Sequence, residues 1–361
     1  MKPEKAKRRK KVLGIIICIF ILFLAMTFFI NQILNAKEKR MLTEAGYYHP
    51  VSAGGCSLNV YDFGNQSGGH TFVGLSGFGV YDYSIRMDRL MGGFAEENRI
   101  AVVDRAGYGL SDDTKTPQTV ETVVDQYRTA LKNAGIEVPY ILLPHSLGGA
   151  YATYWVSKYP EEIEGVVFLD GTQLSHDTDM ETAEITAAAD QIGILANRMG
   201  LVRLAKPVLL KSVIPGLNYS DEQRTYSDAL NLHNPFNHAV TYEELHMNEI
   251  CNTAFDAIKT NDVPKVYICA GWGFQTKEEI DEMLAWDRQD CAFTGRKQPP
   301  VSESMYDMDY PKKLRDTVLQ PYLDKMGNCR LVLLPGIHCI YDQRPDDVAE
   351  IIRDFLDRIE E

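Results

Sequence analysis

The segment Pro144-His145-Ser146-Leu147-Gly148-Gly149 sets a serine between a short apolar run and a helix-forming run. A strand that turns tightly into a helix lifts the residue at the turn above the sheet, which makes Ser146 a candidate nucleophile. Such a turn tolerates little side-chain bulk two residues on, and Gly148 supplies that. The backbone N–H of Leu147 then stands at a helix N-terminus, where free donors and the helix dipole favour an oxyanion. The chemistry this predicts is attack on an acyl carbon with a covalent intermediate on Ser146. Pro144, at the first position of the motif, fixes φ and removes a donor, which a strand end tolerates.

The elements that must hold this serine follow from periodicity. Strands are expected at 57–63, 71–75, 100–103, 140–143 and 165–169, and helices at 82–97, 119–134 and 147–159. Continuous apolar runs mark strands buried on both faces, so the expected fold class is α/β, a mostly parallel central sheet flanked by helices. From 171 to 262 the rhythm gives way to helices, clearest at 187–199 and 242–259. It returns with strands at 265–270 and 330–334 and a closing helix at 346–359. The expected organisation is a core of 51–170 and 263–361 with a helical cap, 171–262, inserted after the sixth strand.

The 361-residue chain carries a formal charge of −13, unevenly spread. Residues 1–11 hold seven basic side chains and one acidic, whereas the rest of the chain has 30 basic and 49 acidic. An acidic body repels phosphates, so nucleic acid is not an expected partner. Residues 12–30 contain no charge and, with 31–34, are about long enough to cross a bilayer as a helix. The basic tail 1–11 then keeps the N-terminus in the cytoplasm and sends the body across. The expectation is a transmembrane anchor at 12–34 followed by a polar stalk at 35–50. A cleaved signal peptide is the competing reading. The length of the apolar stretch argues against it, as does Leu34 standing two residues before Ala36, the one small residue near a cleavage point.

Cys18 lies in the apolar stretch, leaving Cys56, Cys251, Cys269, Cys291, Cys329 and Cys339. An even number outside the membrane permits disulfides, and buried free thiols are the alternative. No pair has CxxC spacing, so a zinc site is not expected.

Three further stretches make the chain resemble serine hydrolases of the α/β-hydrolase fold. After the fourth expected strand, DRAGYGLSD at 104–112 is similar to the family's DxxGxGxS stretch. The resemblance implies architectural roles for Asp104, Gly107, Gly109 and Ser111. LSGFG at 75–79 falls where the family usually has a His-Gly pair, with Ser76 replacing the histidine. It implies that the N–H of Phe78 joins that of Leu147 as the second oxyanion donor. LLPGIHCIYDQRPDDV at 333–348 sets His338 just past the last strand, the family's position for the general base. The family usually has its acid in the loop after the seventh strand, but no aspartate follows closely behind Gly271. Glu278, Glu279 and Asp281 fall in a helical run. Some members carry the acid at the end of the sixth strand, which here is Asp170. The third member is thus Asp170 or a carboxylate within 278–290. The resemblance spans about 57–359 but does not reach the specifics of 171–262 or 271–328.

The resemblance implies hydrolysis of a small ester or amide through an acyl-enzyme on Ser146, with no metal or organic cofactor. A serine nucleophile argues against epoxide-hydrolase or dehalogenase chemistry, in which relatives use aspartate. Two alternatives stay open. One is an aminopeptidase of the proline-iminopeptidase type, in which Glu243, Glu244 and Glu249 would grip a free amine, although they read equally as the solvated face of a helix. The other is a catalytically silent binding module at the cell surface, since fold alone never establishes activity. No feature of the sequence fixes an oligomeric state.

Overall fold

The computed structural model describes residues 2–176, 187–205, 219–294 and 306–361. Eight strands form one sheet: β1 (Pro50–Ser52), β2 (Ser57–Gly64), β3 (Thr71–Leu75), β4 (Arg99–Val103), β5 (Tyr140–Ser146), β6 (Ile163–Gly171), β7 (Lys265–Cys269) and β8 (Cys329–Leu333). Their order is β1-β2-β4-β3-β5-β6-β7-β8. β2 pairs antiparallel with β1 and β4, and every pair from β4 to β8 is parallel.

Successive residues of the inner strands enter two different cores. Val73, Ala101, Leu142, Phe168 and Tyr267 face one, and their neighbours Phe72, Ile100, Ile141, Val167 and Val266 face the other. Burying each large apolar side chain stabilises the fold by roughly 1.5–3 kcal/mol, and with both faces covered every strand position contributes. That is why these strands read as unbroken apolar runs rather than as alternation. The first core is closed by α3 (Val120–Asn133), α4 (Gly148–Lys158) and α8 (Met247–Asp256). The second is closed by α2 (Tyr83–Met91) and α10 (Pro345–Glu360). Thr119 caps α3, its hydroxyl accepting from the N–H of Thr122 at 3.2 Å.

Some elements differ from the expected ones. The helix expected at 82–97 ends at Met91 and tightens into a 3₁₀ turn, Gly92–Phe94, because two consecutive glycines give the helix little support. Between β6 and β7 lie α5 (Ala187–Arg198), α6 (Asp221–His233), α7 (His238–Leu245) and α8. Residues 177–186 and 206–218 of the expected cap lie outside the described residues. The single helix expected at 242–259 is α7 plus α8, broken at His246. There the backbone N–H of His246 and its Nδ1, at 3.0 and 2.9 Å, both converge on the carbonyl of Tyr242. The side chain competes for the ladder and ends the helix.

α1 is one helix, Lys2–Glu44, long and apolar enough to cross a membrane. It does not give way to a stalk: 35–44 is helical and packed on the body. Leu42 is buried, and Arg203 donates to Glu38 at 2.6 Å and to Asn35. The polar residues that suggested a solvated stalk are partners of the body instead. Cys18, Cys56, Cys251, Cys269, Cys329 and Cys339 are free thiols, and the side chain of Cys291 lies outside the described residues. Burial pushes the thiols of Cys251 and Cys269 up to about 12, which leaves them protonated and inert.

Candidate active site

The C-terminal ends of β5, β6, β7 and β8 lie side by side, and each contributes to one small region. β5 ends at Ser146, whose φ of 50° is in the left-handed region. A non-glycine residue there carries strain of order 1–3 kcal/mol, so its surroundings must hold it. Ser146 O accepts from the N–H of Thr172 at 2.9 Å. The neighbouring backbone leaves no slack: a Cβ on Gly148 would come 2.2 Å from Leu75 O, and one on Gly77 would come 2.8 Å from Ser146 Cβ.

β6 carries Asp170 beside this turn, with Gly171 paired to Ser146. Asp170 also has a positive φ, 51°. Its Oδ1 accepts from the N–H of Ala270, just past β7, at 2.8 Å. Its Oδ2 lies 2.7 Å from His338 Nδ1. The Asp170 side chain is 5% exposed and that of His338 is 56% exposed, so the carboxylate is sheltered while the imidazole is open to solvent. With Nδ1 on the carboxylate, Nε2 is the ring nitrogen left to exchange a proton. The other carboxylates considered, those within 278–290, sit in α9 (Lys277–Thr294), where Glu279 and Asp281 are engaged elsewhere and the side chains of Asp287 and Asp290 lie outside the described residues. Glu279 Oε2 accepts from the N–H groups of Gln275 and Thr276 at 2.7 and 3.1 Å, and Asp281 Oδ1 from Tyr306 Oη at 2.6 Å.

His338 itself is held by groups that the sequence reading did not use. His145 packs against it, ring centroids 4.6 Å apart, and His145 Nε2 lies 3.2 Å from His338 O. Burial, with His338 alongside, pushes the pKa of His145 well below its ordinary value. A neutral ring facing a carbonyl through Nε2 carries its proton there, so Nδ1 accepts from Tyr341 Oη at 3.3 Å. The chain after His338 is anchored to α2 by ions. Arg86 donates to Asp342 and, at 2.9 Å, to Asp82 Oδ1. Gln343 Oε1 accepts from the N–H of Ile337 at 2.7 Å, which fixes the turn before the histidine.

The loop after β3 runs from Ser76 through Gly77 and Phe78 to Gly79. A buried arginine grips it: Arg105 NH1 donates to Ser76 O at 2.5 Å and Ser76 Oγ at 2.9 Å, and NH2 donates to Gly77 O at 3.2 Å. Gly79 N donates to Tyr108 Oη at 3.3 Å. The charge of Arg105 is met by Glu243 of α7, 2.7 Å from Nε, and both side chains are almost fully buried. Tyr108 and Tyr151 donate to the same carboxylate at 2.6 and 2.7 Å. The insertion between β6 and β7 is thereby tied to the loop that carries Phe78. Leu147 is buried at the start of α4, and Phe78 packs against the core.

The structure therefore brings Asp170 to His338, and the Gly77–Phe78 loop to the Ser146–Leu147 turn. Asp104, Gly107, Gly109 and Ser111 shape their own loop: Asp104 Oδ2 accepts from Leu110 N at 3.2 Å, and Ser111 Oγ donates to Asp104 O at 2.7 Å. Glu243, read as an amine grip or as part of a solvated helix face, is instead buried against Arg105. Arg105, His145 and the Arg86–Asp342 pair were missed. Their only sequence signal is adjacency, since Arg105 and His145 each sit next to a motif residue.

Comparison with known proteins agrees with this architecture. Residues 74–225 match a family described as alpha/beta hydrolase fold. Uncharacterized protein YbdG of Bacillus subtilis is 38% identical over 160 residues, which is 44% of this chain and 48% of that protein. The chain thus spans about half the length of that curated relative. Among solved structures, the epoxide hydrolase CorEH superposes with a TM-score of 0.58 at 14% identity, covering 86% of this chain and 99% of that one. Haloalkane dehalogenase DbeA from Bradyrhizobium elkani gives 0.52 at 15% identity, covering 86% and 98%. At such identities the likeness is one of fold, and it agrees with the sheet order and the strand-end site: the chain has the α/β-hydrolase fold.

Proposed function

We propose that the chain is a serine hydrolase that cleaves a small ester or amide through an acyl-enzyme on Ser146. One observation carries the reading. A serine in the left-handed region at a strand-to-helix turn accompanies a histidine whose Nδ1 is 2.7 Å from a sheltered carboxylate. In the first half-reaction Ser146 Oγ bonds to the carbonyl carbon while His338 Nε2 takes its proton. The N–H groups of Leu147 and Phe78 hold the oxyanion. The bond to the leaving group then breaks as His338 returns the proton to it. Water repeats the sequence: His338 takes its proton, the acid is released and Ser146 regains its hydrogen. Asp170 fixes the tautomer of His338 and faces the imidazolium that forms. The steps need no metal or organic cofactor.

The fold is shared with an epoxide hydrolase and a haloalkane dehalogenase, but the elbow residue here is Ser146, which forms an acyl-enzyme. Glu243 does not suit the aminopeptidase reading, because Arg105, Tyr108 and Tyr151 already occupy its carboxylate. Glu249 is exposed, as on a solvated helix face. We further read α1 as a membrane anchor, with residues 1–11 cytoplasmic, the body on the other side and the β6–β7 insertion as a cap. The seven basic residues before the apolar run support that orientation.

The test is hydrolysis of a short-chain aryl ester by purified full-length protein. Ser146→Ala and His338→Ala lose on the order of 10³-fold or more in kcat. Undiminished turnover by Ser146→Ala rules the mechanism out.

A further inference from the structure

The part of the β6–β7 insertion that holds α1 exposes several large apolar side chains, with Gln191 and Arg198 exposed among them. Gly200 lies directly on the helix: a Cβ there would come 2.6 Å from Thr27 O and 2.7 Å from Asn31 Cβ. Asn31 Nδ2 donates to Asn197 O at 3.3 Å, and Asn31 Oδ1 accepts from Arg203 Nε at 2.6 Å. Interleaved with these gripping residues, Ile192, Leu195 and Leu204 are 68%, 60% and 63% exposed. Phe236 packs beside Gly193 and is 42% exposed. At the same level of α1, Phe29 and Ile33 face outward.

Helix length fixes what surrounds this level. Lys10 and Lys11 set the inner end of the apolar run at Val12. A hydrocarbon layer of about 30 Å takes about 20 residues at 1.5 Å each, which reaches Asn31 or Gln32, and any tilt carries it further. Thr27 is the first buried residue of α1. The free stretch 12–26 therefore covers only about 22 Å, and the outermost part of the layer runs alongside the residues that Gly200, Asn197 and Arg203 cover. Polar Asn31 is tolerated at that depth because the protein satisfies both ends of its amide.

Resting on the anchor reading above, we propose that this face of the insertion sits in the outer leaflet. Ile192, Leu195, Leu204 and Phe236 meet acyl chains at the depth of Thr27 to Ile33. The occupant is lipid rather than a protein partner, because the patch is continuous with the helix that crosses the same layer. The seating also reaches the active site: Tyr81, next to the Gly77–Gly79 loop, donates to Pro235 O at 2.8 Å, one residue from Phe236. That hydrogen bond ties the loop bearing Phe236 to the segment that follows Gly79.

The test uses the full-length chain in phosphatidylcholine vesicles, with and without brominated acyl chains, which quench tryptophan on contact. Leu195→Trp and Leu204→Trp probe the patch, Phe20→Trp probes the anchor and Lys132→Trp, on α3, is the aqueous control. Beyond the emission of the wild-type tryptophans, brominated lipid should lower the signal of the patch and anchor probes about twofold and leave the control unchanged. If Phe20→Trp is quenched while both patch probes behave like Lys132→Trp, the seating is wrong and the anchor stands. If Phe20→Trp escapes quenching, the anchor reading fails and the seating with it.

Discussion

Oδ2 of Asp170 lies 2.7 Å from Nδ1 of His338, and its other oxygen is taken by the N–H of Ala270 at 2.8 Å. The carboxylate is thus fixed by backbone on one side and presents a single acceptor to the imidazole. Asp170→Asn keeps the volume but offers an amide where a carboxylate selects the tautomer. The expected loss is on the order of 10³–10⁴ in kcat with the fold intact. Ester hydrolysis beside circular dichroism of the same sample checks it, and an active Asp170→Asn would shift the acid to another carboxylate.

In the proposed mechanism Arg105 acts at one remove, through its hydrogen bonds to Ser76 O and Gly77 O in the loop that carries Phe78. Arg105→Lys retains the charge and loses the fork that spans the loop and Glu243. The expected signature is a fall in kcat of about tenfold or more with KM nearly unchanged, since the interaction acts on the transition state. Glu243→Gln, leaving Arg105 as an uncompensated buried cation, should cost about 3–5 kcal/mol of stability. A purely structural role for Arg105 would lower stability and leave kcat per folded molecule alone.

The glycines divide sharply. A Cβ on Gly77 would meet Ser146 Cβ and His145 Nδ1 at 2.8 Å each, so Gly77→Ala must displace the serine or the loop and should abolish turnover. Gly92 has helical backbone, φ −55° and ψ −36°, with nothing within 4 Å of an added Cβ. Gly92→Ala should therefore stabilise the protein by about 0.4–1 kcal/mol and leave activity as it was. Thermal melts and initial rates of the two variants separate these outcomes.

These contrasts show where the sequence was readable. β3 was expected at 71–75 and occupies Thr71–Leu75. α3 lies one residue inside its expected bounds at each end. Both are local, periodic and closed by strong turn or cap residues. The elbow and the loop after β4 were visible because tight turns need small residues at fixed offsets. Arg105 and Glu243 were not, since they are 138 residues apart in sequence and meet only once α7 is laid on the core. The docking of α1 was hidden for a related reason. Asn31, Asn35 and Glu38 are polar, and polarity alone does not distinguish a solvated stalk from a stripe that reaches Arg203.

Asp104 gives the account a pH dependence. Burial pushes its carboxyl up to about 7, against the opposing hydrogen bonds from Asn59 and the N–H of Leu110. The unfolded value is about 3.9, so between about pH 4 and 7 the folded state binds the extra proton. The Asp104 contribution to stability therefore falls as pH rises through that window, by up to about 1.4 kcal/mol per unit, and levels off above it. Asp104→Asn removes this dependence. Denaturant unfolding in detergent should show the variant gaining on wild type from about pH 4 to 7 and no further above; a pH-independent difference contradicts the assignment.

The most direct measurement of the central claim is labelling of the folded full-length chain with a fluorophosphonate, followed by mass-spectrometric mapping of the adduct. The account predicts one modified residue, Ser146, with labelling absent in Ser146→Ala and slowed in His338→Ala and Asp170→Asn. An unlabelled folded wild type, or an adduct on another residue that persists in Ser146→Ala, would contradict it.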